Sequence, residues 1–334
     1  MKTMQLTSTQ RIEDNPLKER DVGVPQPDDP DVLIQVDACG LCHTDLHVIE
    51  GELPPKRSPL TPGHQVIGVV ERMGREVSGR TIGERVGVAW LHRACGECAW
   101  CSSGDENLCE RALFTGYDVD GGYAEYIKAP GNFVYSIPRV FTSEQAAPLM
   151  CAGIIGFRSL RMSGIKPGER LGLFGFGASA HLAIQVARYW GCEVFVFSRS
   201  AEHRKLAEKL GAAWTGNSDD VPPSPLDAAV SFAPAGELVP KALKVLRKGG
   251  ALALAGLYMS PIPSFDYSLL YQERKITSVA NSTRRDGNDF LKLAGEIPVK
   301  TETELFPLAE ANRALQRLKS GKIRGAGVLK INGS

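Results

Sequence analysis

The sequence lacks an excess of charge and lacks long apolar runs, and each absence excludes a class of function. Its 39 Lys and Arg residues balance 38 Asp and Glu residues, which leaves a formal net charge of +1. Such a chain has no general attraction for nucleic acid or for an anionic membrane. A run of about 18 apolar residues, as a membrane span needs, is missing, and residues 1–6 lack the apolar core of a signal peptide. We therefore expect a cytoplasmic protein with no nucleic-acid or membrane partner.

The length of 334 residues and the patterning predict two domains of different character. Up to residue 150, β-branched runs such as 32–36 and 66–70 alternate with turns rich in Gly and Pro. Beyond that point, strands and helices alternate at the spacing of a doubly wound parallel sheet. The expected strands there cover 170–174, 193–197, 226–232 and 251–257, with helices at 201–210 and 238–246; a helix at 308–318 and a strand at 327–331 follow.

Four of the eight cysteines are crowded into the segment 95–109, in the pattern C-x2-C-x2-C-x7-C. One tetrahedral zinc ion needs four such soft ligands, and a site closed by four thiolates is structural. Spare thiols and an iron–sulfur cluster are the alternatives, but ferredoxin runs have a different spacing and a following proline. We predict a structural zinc site, and its four ligands are Cys95, Cys98, Cys101 and Cys109.

A second set of metal-binding residue types is spread along the chain. Cys42, His64 and Cys151 taken one by one could each be packing residues, and Cys39 with Cys42 forms a C-x-x-C that a redox protein could use. The βαβ pattern of a thioredoxin-like protein is not found around that pair. Two cysteines and one histidine would give zinc three protein ligands and leave a fourth position open, which is the arrangement of catalytic sites.

These motifs, in this order, make the chain similar to the zinc-containing medium-chain alcohol dehydrogenases over its whole length. The matching segments are CHTDLH at 42–47, GH-x3-G at 63–68, the four-cysteine segment, Cys151 and a glycine turn at Gly175. The resemblance implies an α/β protein, with a GroES-like β-rich catalytic domain at 1–150 and 282–334 and a Rossmann domain at 151–281. It also implies a catalytic zinc on Cys42, His64 and Cys151.

The same resemblance implies roles for three residues of the CHTDLH segment. Thr44 would hydrogen-bond the substrate oxygen and pass its proton through the cofactor ribose to His47 and solvent, although His47 could also be a surface imidazole without a role. Asp45 would orient His64 from the side of the ring that faces away from the metal. The chain departs from the family at Gln65, where Glu is usual. The missing negative charge favours the deprotonated form of the bound alcohol.

A glycine turn at 175–180 predicts a dinucleotide site. Gly175, Gly177 and Ala180 fit G-x-G-x-x-[GA] between a predicted strand and a predicted helix. The helix N-terminus would then stabilise a pyrophosphate. By resemblance to the family, His43 and Arg324 are further candidates for contacts to this group.

The end of the second Rossmann strand bears on which nicotinamide cofactor is used. An acidic residue there would bind the ribose hydroxyls of NAD, but this chain has Ser198 and Arg199, with Arg204 following. A hydroxyl and cations suit the 2′-phosphate of NADP. We therefore favour NADP; a solvated basic surface, with use of NAD, is the alternative.

The function predicted from the sequence is interconversion of a small alcohol and its aldehyde or ketone, by a homodimer or homotetramer. A polyol dehydrogenase is the alternative within the same chemistry, although such enzymes commonly replace one zinc cysteine with a carboxylate. A zinc-binding redox sensor and a zinc-free quinone reductase are alternatives of other classes. Trp90 and Leu91 are expected to line the substrate pocket, and the sequence does not identify the alcohol.

Overall fold

The computed structural model describes residues 1–297 and 299–332 and divides the chain into two compact units. The first unit combines Met1–Cys151, Ser282–Gly295 and the segment from Lys300 on. The second unit is formed mainly by Ala152–Asn281. None of the helices in the described parts of the chain has the length and apolar character that crossing a membrane requires.

Strands and helices follow one another along both units. In chain order, the strands are β1 (Lys2–Gln5), β2 (Lys18–Asp21), β3 (Asp31–Gly40), β4 (Gln65–Met73), β5 (Arg85–Val88), β6 (Leu91–Arg93), β7 (Leu113–Phe114), β8 (Tyr126–Pro130), β9 (Val134–Ser136), β10 (Arg170–Phe174), β11 (Glu193–Phe197), β12 (Trp214–Gly216), β13 (Leu226–Ser231), β14 (Leu246–Leu254), β15 (Lys275–Ser278), β16 (Thr303–Pro307) and β17 (Ala326–Lys330). The helices are α1 (His43–Glu50), α2 (Ala99–Ser102), α3 (Ser143–Ala146), α4 (Ala152–Ser163), α5 (Ala178–Tyr189), α6 (Ala201–Lys209), α7 (Leu238–Val245), α8 (Arg284–Glu296) and α9 (Ala311–Lys319).

The first unit is built around β3, which is buried along most of its length. β3 pairs antiparallel with β4, β8 and β17 in a seven-stranded sheet. Val32, Ile34 and Val36 are fully buried on this strand and belong to one apolar cluster with residues of β4 and β5. A strand held on both sides is rigid, and its last residue, Gly40, lies two positions before Cys42. The sheet therefore fixes where the first predicted zinc ligand stands.

The second unit is a six-stranded sheet in which every neighbouring pair is parallel. Its order is β12-β11-β10-β13-β14-β15, so the chain starts in the middle, builds one half and then returns to build the other. Leu171, Leu173 and Phe174 of β10 are fully buried, as expected for parallel strands covered on both faces. The order reverses between β10 and β13. In such sheets ligands bind outside the carboxyl ends of the strands at this point.

The predicted elements of the second unit lie close to the observed ones, apart from β14. The strand expected at 251–257 runs from Leu246 to Leu254, so the segment expected to close α7 already belongs to the strand. The reason is local: Gly249 adopts a φ of +72° and the register between β13 and β14 shifts there. A bulge therefore absorbs a glycine pair that the sequence pattern suggested was a turn.

Candidate active site

Helix α1 presents three of the predicted catalytic residues on its first turns. Cys42 is its N-cap, and the Cys42 thiol accepts a hydrogen bond from the Thr44 backbone N–H at 3.5 Å. In return, Asp45 Oδ2 accepts the Cys42 backbone N–H at 2.8 Å. This reciprocal pair is a capping box with a thiol in the place of a hydroxyl. The same interactions that start the helix therefore fix the Cys42 thiol.

His64 is held from behind by the carboxylate that caps α1. Its Nδ1 lies 3.0 Å from Asp45 Oδ1, and both side chains are almost completely buried. Burial alone would lower the pKa of His64, but the charge and the hydrogen bond of Asp45 raise it to about 10, so a metal ion that binds the ring would displace a proton from it. The other ring nitrogen, Nε2, is buried and has no hydrogen-bond partner among the described residues. Such an orphaned atom is uncommon in a folded protein unless a ligand takes it.

The structure brings Cys42, His64 and Cys151 together within the first unit. One donor atom from each lies within 4.8 Å of the other two, and the two sulfurs are 4.0 Å apart. Two sulfurs that each lie about 2.3 Å from one tetrahedral ion are about 3.8 Å apart. Hydrogen bonding between the two thiols lowers the pKa of Cys42 and raises the pKa of Cys151, so a metal ion that binds both sulfurs would displace the proton between them. The donor set and its spacing fit zinc.

The cysteine lobe, residues 95–109, gathers the other four thiols. One sulfur from each of its cysteines lies within 4.8 Å of the other three. Cys95 and Cys101 are separated by 3.8 Å between sulfurs, and the Cys98 backbone N–H lies 3.4 Å from the Cys95 sulfur. The backbone N–H groups of Glu97 and Cys98 lower the pKa of Cys95 to about 6. The lobe is therefore arranged as a closed four-sulfur site.

Thr44 and His47 occupy the first and second turns of α1. The Thr44 hydroxyl lies 3.5 Å from the Cys42 sulfur, beside the candidate metal position. His47 Nδ1 forms an ion-pair contact with Glu52, in the loop that follows the helix. His47 is about a quarter exposed, so its ring is in contact with solvent. This position suits a residue that exchanges protons with water.

The glycine turn connects β10 to α5 as the sequence pattern predicts. Gly175 has a φ of +86°, and a Cβ there would lie 2.9 Å from the Cβ of Ala233. Gly177 precedes α5, and a Cβ built on it would meet nothing within 4 Å. Ala180 is fully buried. Glycine is thus required at 175 by the backbone, whereas at 177 it leaves open space at a helix N-terminus, where a phosphate is stabilised.

The predicted basic residues at the end of β11 differ in how they are held. Ser198 is mostly buried, and Arg199 is exposed. The Arg204 guanidinium donates to the Ser198 carbonyl at 2.6 Å and contacts the Asn217 amide oxygen at 3.3 Å. It is therefore fixed beside the strand end.

The last two predicted cofactor residues, His43 and Arg324, lie in the first unit. Both side chains are exposed. The glycine turn and the end of β11 belong to the second unit, so each unit carries part of the predicted cofactor set.

The sequence predicted Asp45 as a partner of His64, but it did not reveal the aromatic residues that contact this pair. Tyr123 is fully buried, and its hydroxyl donates to Asp45 Oδ2 at 2.9 Å. Trp90 packs edge-on against His64 with ring centroids 4.8 Å apart, and it stacks on Phe114 and Tyr117. The sequence suggested Trp90 as a pocket residue. Only the fold brings Tyr123 to Asp45, from 78 positions away.

Comparison with known proteins identifies the family. The profile of the family "Alcohol dehydrogenase GroES-like domain" matches residues 28–139, and that of "Zinc-binding dehydrogenase" matches residues 180–296. The chain is 46% identical over 326 residues to the probable alcohol dehydrogenase AdhA of Mycobacterium tuberculosis, covering 96% of this chain and 94% of the relative. It is 39% identical to an alcohol dehydrogenase of Geobacillus stearothermophilus, covering 95% of this chain and 97% of that one.

Solved structures agree with these relatives. A cinnamyl alcohol dehydrogenase of Sorghum bicolor superposes with a TM-score of 0.90 at 28% identity, covering 98% of this chain and 97% of that one. The predicted fold class, a GroES-like domain with a Rossmann domain, is confirmed, and so is the predicted interconversion of alcohols and aldehydes. The chain belongs to the zinc-containing medium-chain alcohol dehydrogenase family.

Proposed function

We propose that this alcohol dehydrogenase works with a catalytic zinc ion held by Cys42, His64 and Cys151. The observation that carries the proposal is the buried Nε2 of His64, which lacks a hydrogen-bond partner among the described residues, beside two sulfurs 4.0 Å apart. Three protein ligands leave a fourth position for the substrate oxygen. When bound, zinc supplies a Lewis acid that favours the deprotonated alcohol.

The chain's own residues orient the metal ligand His64, bind the substrate hydroxyl and carry its proton to solvent. Asp45 accepts from Nδ1 of His64, which fixes the tautomer that leaves Nε2 for the metal. Thr44, beside the Cys42 sulfur, is placed to accept a hydrogen bond from the substrate hydroxyl. His47, paired with Glu52 at the surface, gives the proton to solvent. A nicotinamide cofactor held at the glycine turn by Gly175 and Gly177 would supply the hydride acceptor for conversion of the small alcohol to its aldehyde or ketone.

We also propose that the cysteine lobe holds a second, structural zinc. Its four thiols converge within 4.8 Å, and four thiolates leave no position open for substrate. A folded loop of this kind gains its stability from the bound metal. Zinc analysis of the purified chain is expected to give two ions per chain. A chain that oxidises alcohols while free of zinc would contradict both zinc proposals.

The cofactor is proposed to be NADP rather than NAD. β11 ends in Ser198 and Arg199, with Arg204 fixed beside them, so the strand end offers a hydroxyl and cations and no carboxylate. We expect kcat/KM with NADP to exceed that with NAD by about tenfold or more, which corresponds to about 1.4 kcal/mol. Arg199→Gln should remove most of this preference, whereas Lys248→Gln, an exposed cation elsewhere in the second unit, should not. A preference for NAD in the unmodified enzyme would overturn the assignment.

A homodimer or homotetramer is proposed from the edge of the second sheet. β15 ends the order of that sheet, and Tyr267 and Tyr271 nearby are 70% and 59% exposed. Exposed aromatic residues next to an unpaired strand edge favour association of identical chains. Sedimentation of the purified protein tests this, and a monomer at micromolar concentration would contradict it.

A further inference from the structure

One buried hydroxyl lies close to the candidate catalytic zinc site without belonging to its three ligands. Tyr123 is fully buried, and its hydroxyl donates to Asp45 Oδ2 at 2.9 Å. The same oxygen accepts the Cys42 backbone N–H at 2.8 Å, and the other carboxylate oxygen accepts from His64. A single buried carboxylate therefore joins Tyr123 to two of the three proposed zinc ligands.

The backbone of Tyr123 is held by hydrogen bonds to two other segments of the chain. Its N–H donates to the Pro62 carbonyl at 3.0 Å, and its carbonyl accepts the Met4 N–H at 2.9 Å. The Gly122 N–H binds the Gly63 carbonyl at 2.8 Å. The segment that carries Tyr123 is thus hydrogen-bonded to the segment that leads into His64, and these bonds fix the position of one segment against the other.

The ring also requires the residue before His64 to be glycine. A Cβ on Gly63 would lie 2.4 Å from Cδ1 of Tyr123, and Gly63 has a φ of +98°. The backbone is held and the Gly63 side of the ring is closely packed, and the hydroxyl is directed at Asp45. A phenylalanine would fill the same space, so the hydroxyl is specific to its contact with Asp45.

The chemistry of Asp45 explains what this contact does. The carboxylate is 1% exposed, and a buried carboxylate needs protein hydrogen-bond donors in the place of water. The Tyr123 phenol is buried against this carboxylate, and it donates its hydrogen to Oδ2 at 2.9 Å. It supplies one of three hydrogen bonds to Asp45 and fixes the direction of the oxygen that faces His64.

We propose that Tyr123 is a positioning residue of the catalytic metal site, acting through Asp45 on His64 and Cys42. This inference rests on the proposed function, since it concerns the zinc that these ligands would hold. Groups that orient a metal ligand typically change metal affinity by about 10–100-fold when they are removed. Because Tyr123 is one step further away, we expect an effect of about tenfold.

The test compares two Tyr→Phe variants of the zinc-loaded enzyme. Tyr123→Phe removes the hydroxyl that binds Asp45. Tyr135→Phe is the matched control, because Tyr135 is 1% exposed in the same unit and has no hydrogen bond to Asp45 within the described part of the chain. Zinc release to a chromogenic chelator is followed in two phases, one for each site. We expect Tyr123→Phe to release the catalytic zinc about tenfold more readily, with the cysteine-lobe zinc unchanged. Tyr135→Phe, whose ring lies near Glu106 of the lobe, should release the catalytic zinc as the unmodified enzyme does.

Adding Asp45→Asn tests whether the effect passes through the carboxylate. If it does, Tyr123→Phe changes zinc release little further in the Asp45→Asn background. Equal release of the catalytic zinc by Tyr123→Phe and the unmodified enzyme would overturn the inference, as would equal loosening of both sites. An unmodified enzyme that binds no zinc at Cys42, His64 and Cys151 would instead overturn the proposed function.

Discussion

Replacing Arg284 by Gln is expected to weaken the attachment of the cysteine lobe to helix α8 of the same unit. Arg284 begins α8, and Glu106 lies in the lobe between two of its cysteines. The guanidinium donates to Glu106 at 2.6 and 2.9 Å, and the Arg284 backbone N–H donates to the same carboxylate at 2.7 Å. The guanidinium also lies 4.3 Å from the centre of the Phe133 ring. Glu106 thus caps α8 and pairs with its first side chain at once.

The size of the effect follows from the burial of the two partners. Removing one partner of a fully buried pair costs about 3–5 kcal/mol. The Arg284 side chain is 35% exposed while that of Glu106 is 9% exposed, so solvent screening reduces the expected cost to about 2–3 kcal/mol. For a unit of this size, that loss lowers the thermal midpoint by about 5–10 °C.

The assay is thermal unfolding of the zinc-loaded protein, and the adjacent arginine provides the control. Arg285 pairs with Asp289 on the surface of the same helix and is 78% exposed. Arg285→Gln should therefore change the midpoint by about 1–2 °C at most. If Arg284→Gln and Arg285→Gln have the same midpoint, the pair with Glu106 does not stabilise the unit and the reasoning is wrong.

Three further predictions concern the pH dependence of stability, the charge of residue 65 beside the metal ligands, and the glycine turn. Burial lowers the pKa of His92 to about 4, so the stability it contributes is complete above its unfolded pKa of about 6.5 and is lost as the pH falls towards 4. Between pH 7 and pH 5, the free energy of unfolding in urea should fall by about 2 kcal/mol more in the unmodified chain than in His92→Gln. An equal fall in both chains would contradict this. Gln65→Glu adds a negative charge beside the metal ligands, so the pH profile of alcohol oxidation should move to higher pH; an identical profile would refute the charge argument. Gly177→Ala should fold normally but bind NADP about tenfold more weakly, as titration of nicotinamide fluorescence would measure, whereas Gly175→Ala should lose stability; normal binding by Gly177→Ala would count against the assigned phosphate site.

The sequence predicted features that depend on local spacing. Strand β11 was expected at 193–197, and the structure has Glu193–Phe197, because the run is short, follows a glycine and is rich in valine and phenylalanine, which favours a strand. The four sulfurs of the cysteine lobe converge, since two-residue gaps hold the first three close together and the longer gap lets the chain return with Cys109. The distant Cys42, His64 and Cys151 could be grouped only through the family resemblance.

Features that depend on long-range contacts were not accessible from the sequence. The hydroxyl of Tyr123 reaches Asp45 only because the segments 61–63 and 121–123 are hydrogen-bonded. Glu106 and Arg284 are 178 positions apart, and neither stands out among 77 charged residues, 39 basic and 38 acidic. Such pairs have no periodicity, so packing alone brings them together.

The catalytic centre is tested most directly by the zinc content and turnover of Cys151→Ser. Cys98→Ser is its counterpart in the cysteine lobe. The unmodified enzyme is expected to carry two zinc ions per chain. Cys151→Ser should keep the lobe zinc, lose the catalytic zinc and lose alcohol oxidation, with a thermal midpoint close to that of the unmodified enzyme; Cys98→Ser should lose the lobe zinc and stability. If Cys151→Ser retains both zinc ions and full turnover, the site built by Cys42, His64 and Cys151 is not the catalytic centre.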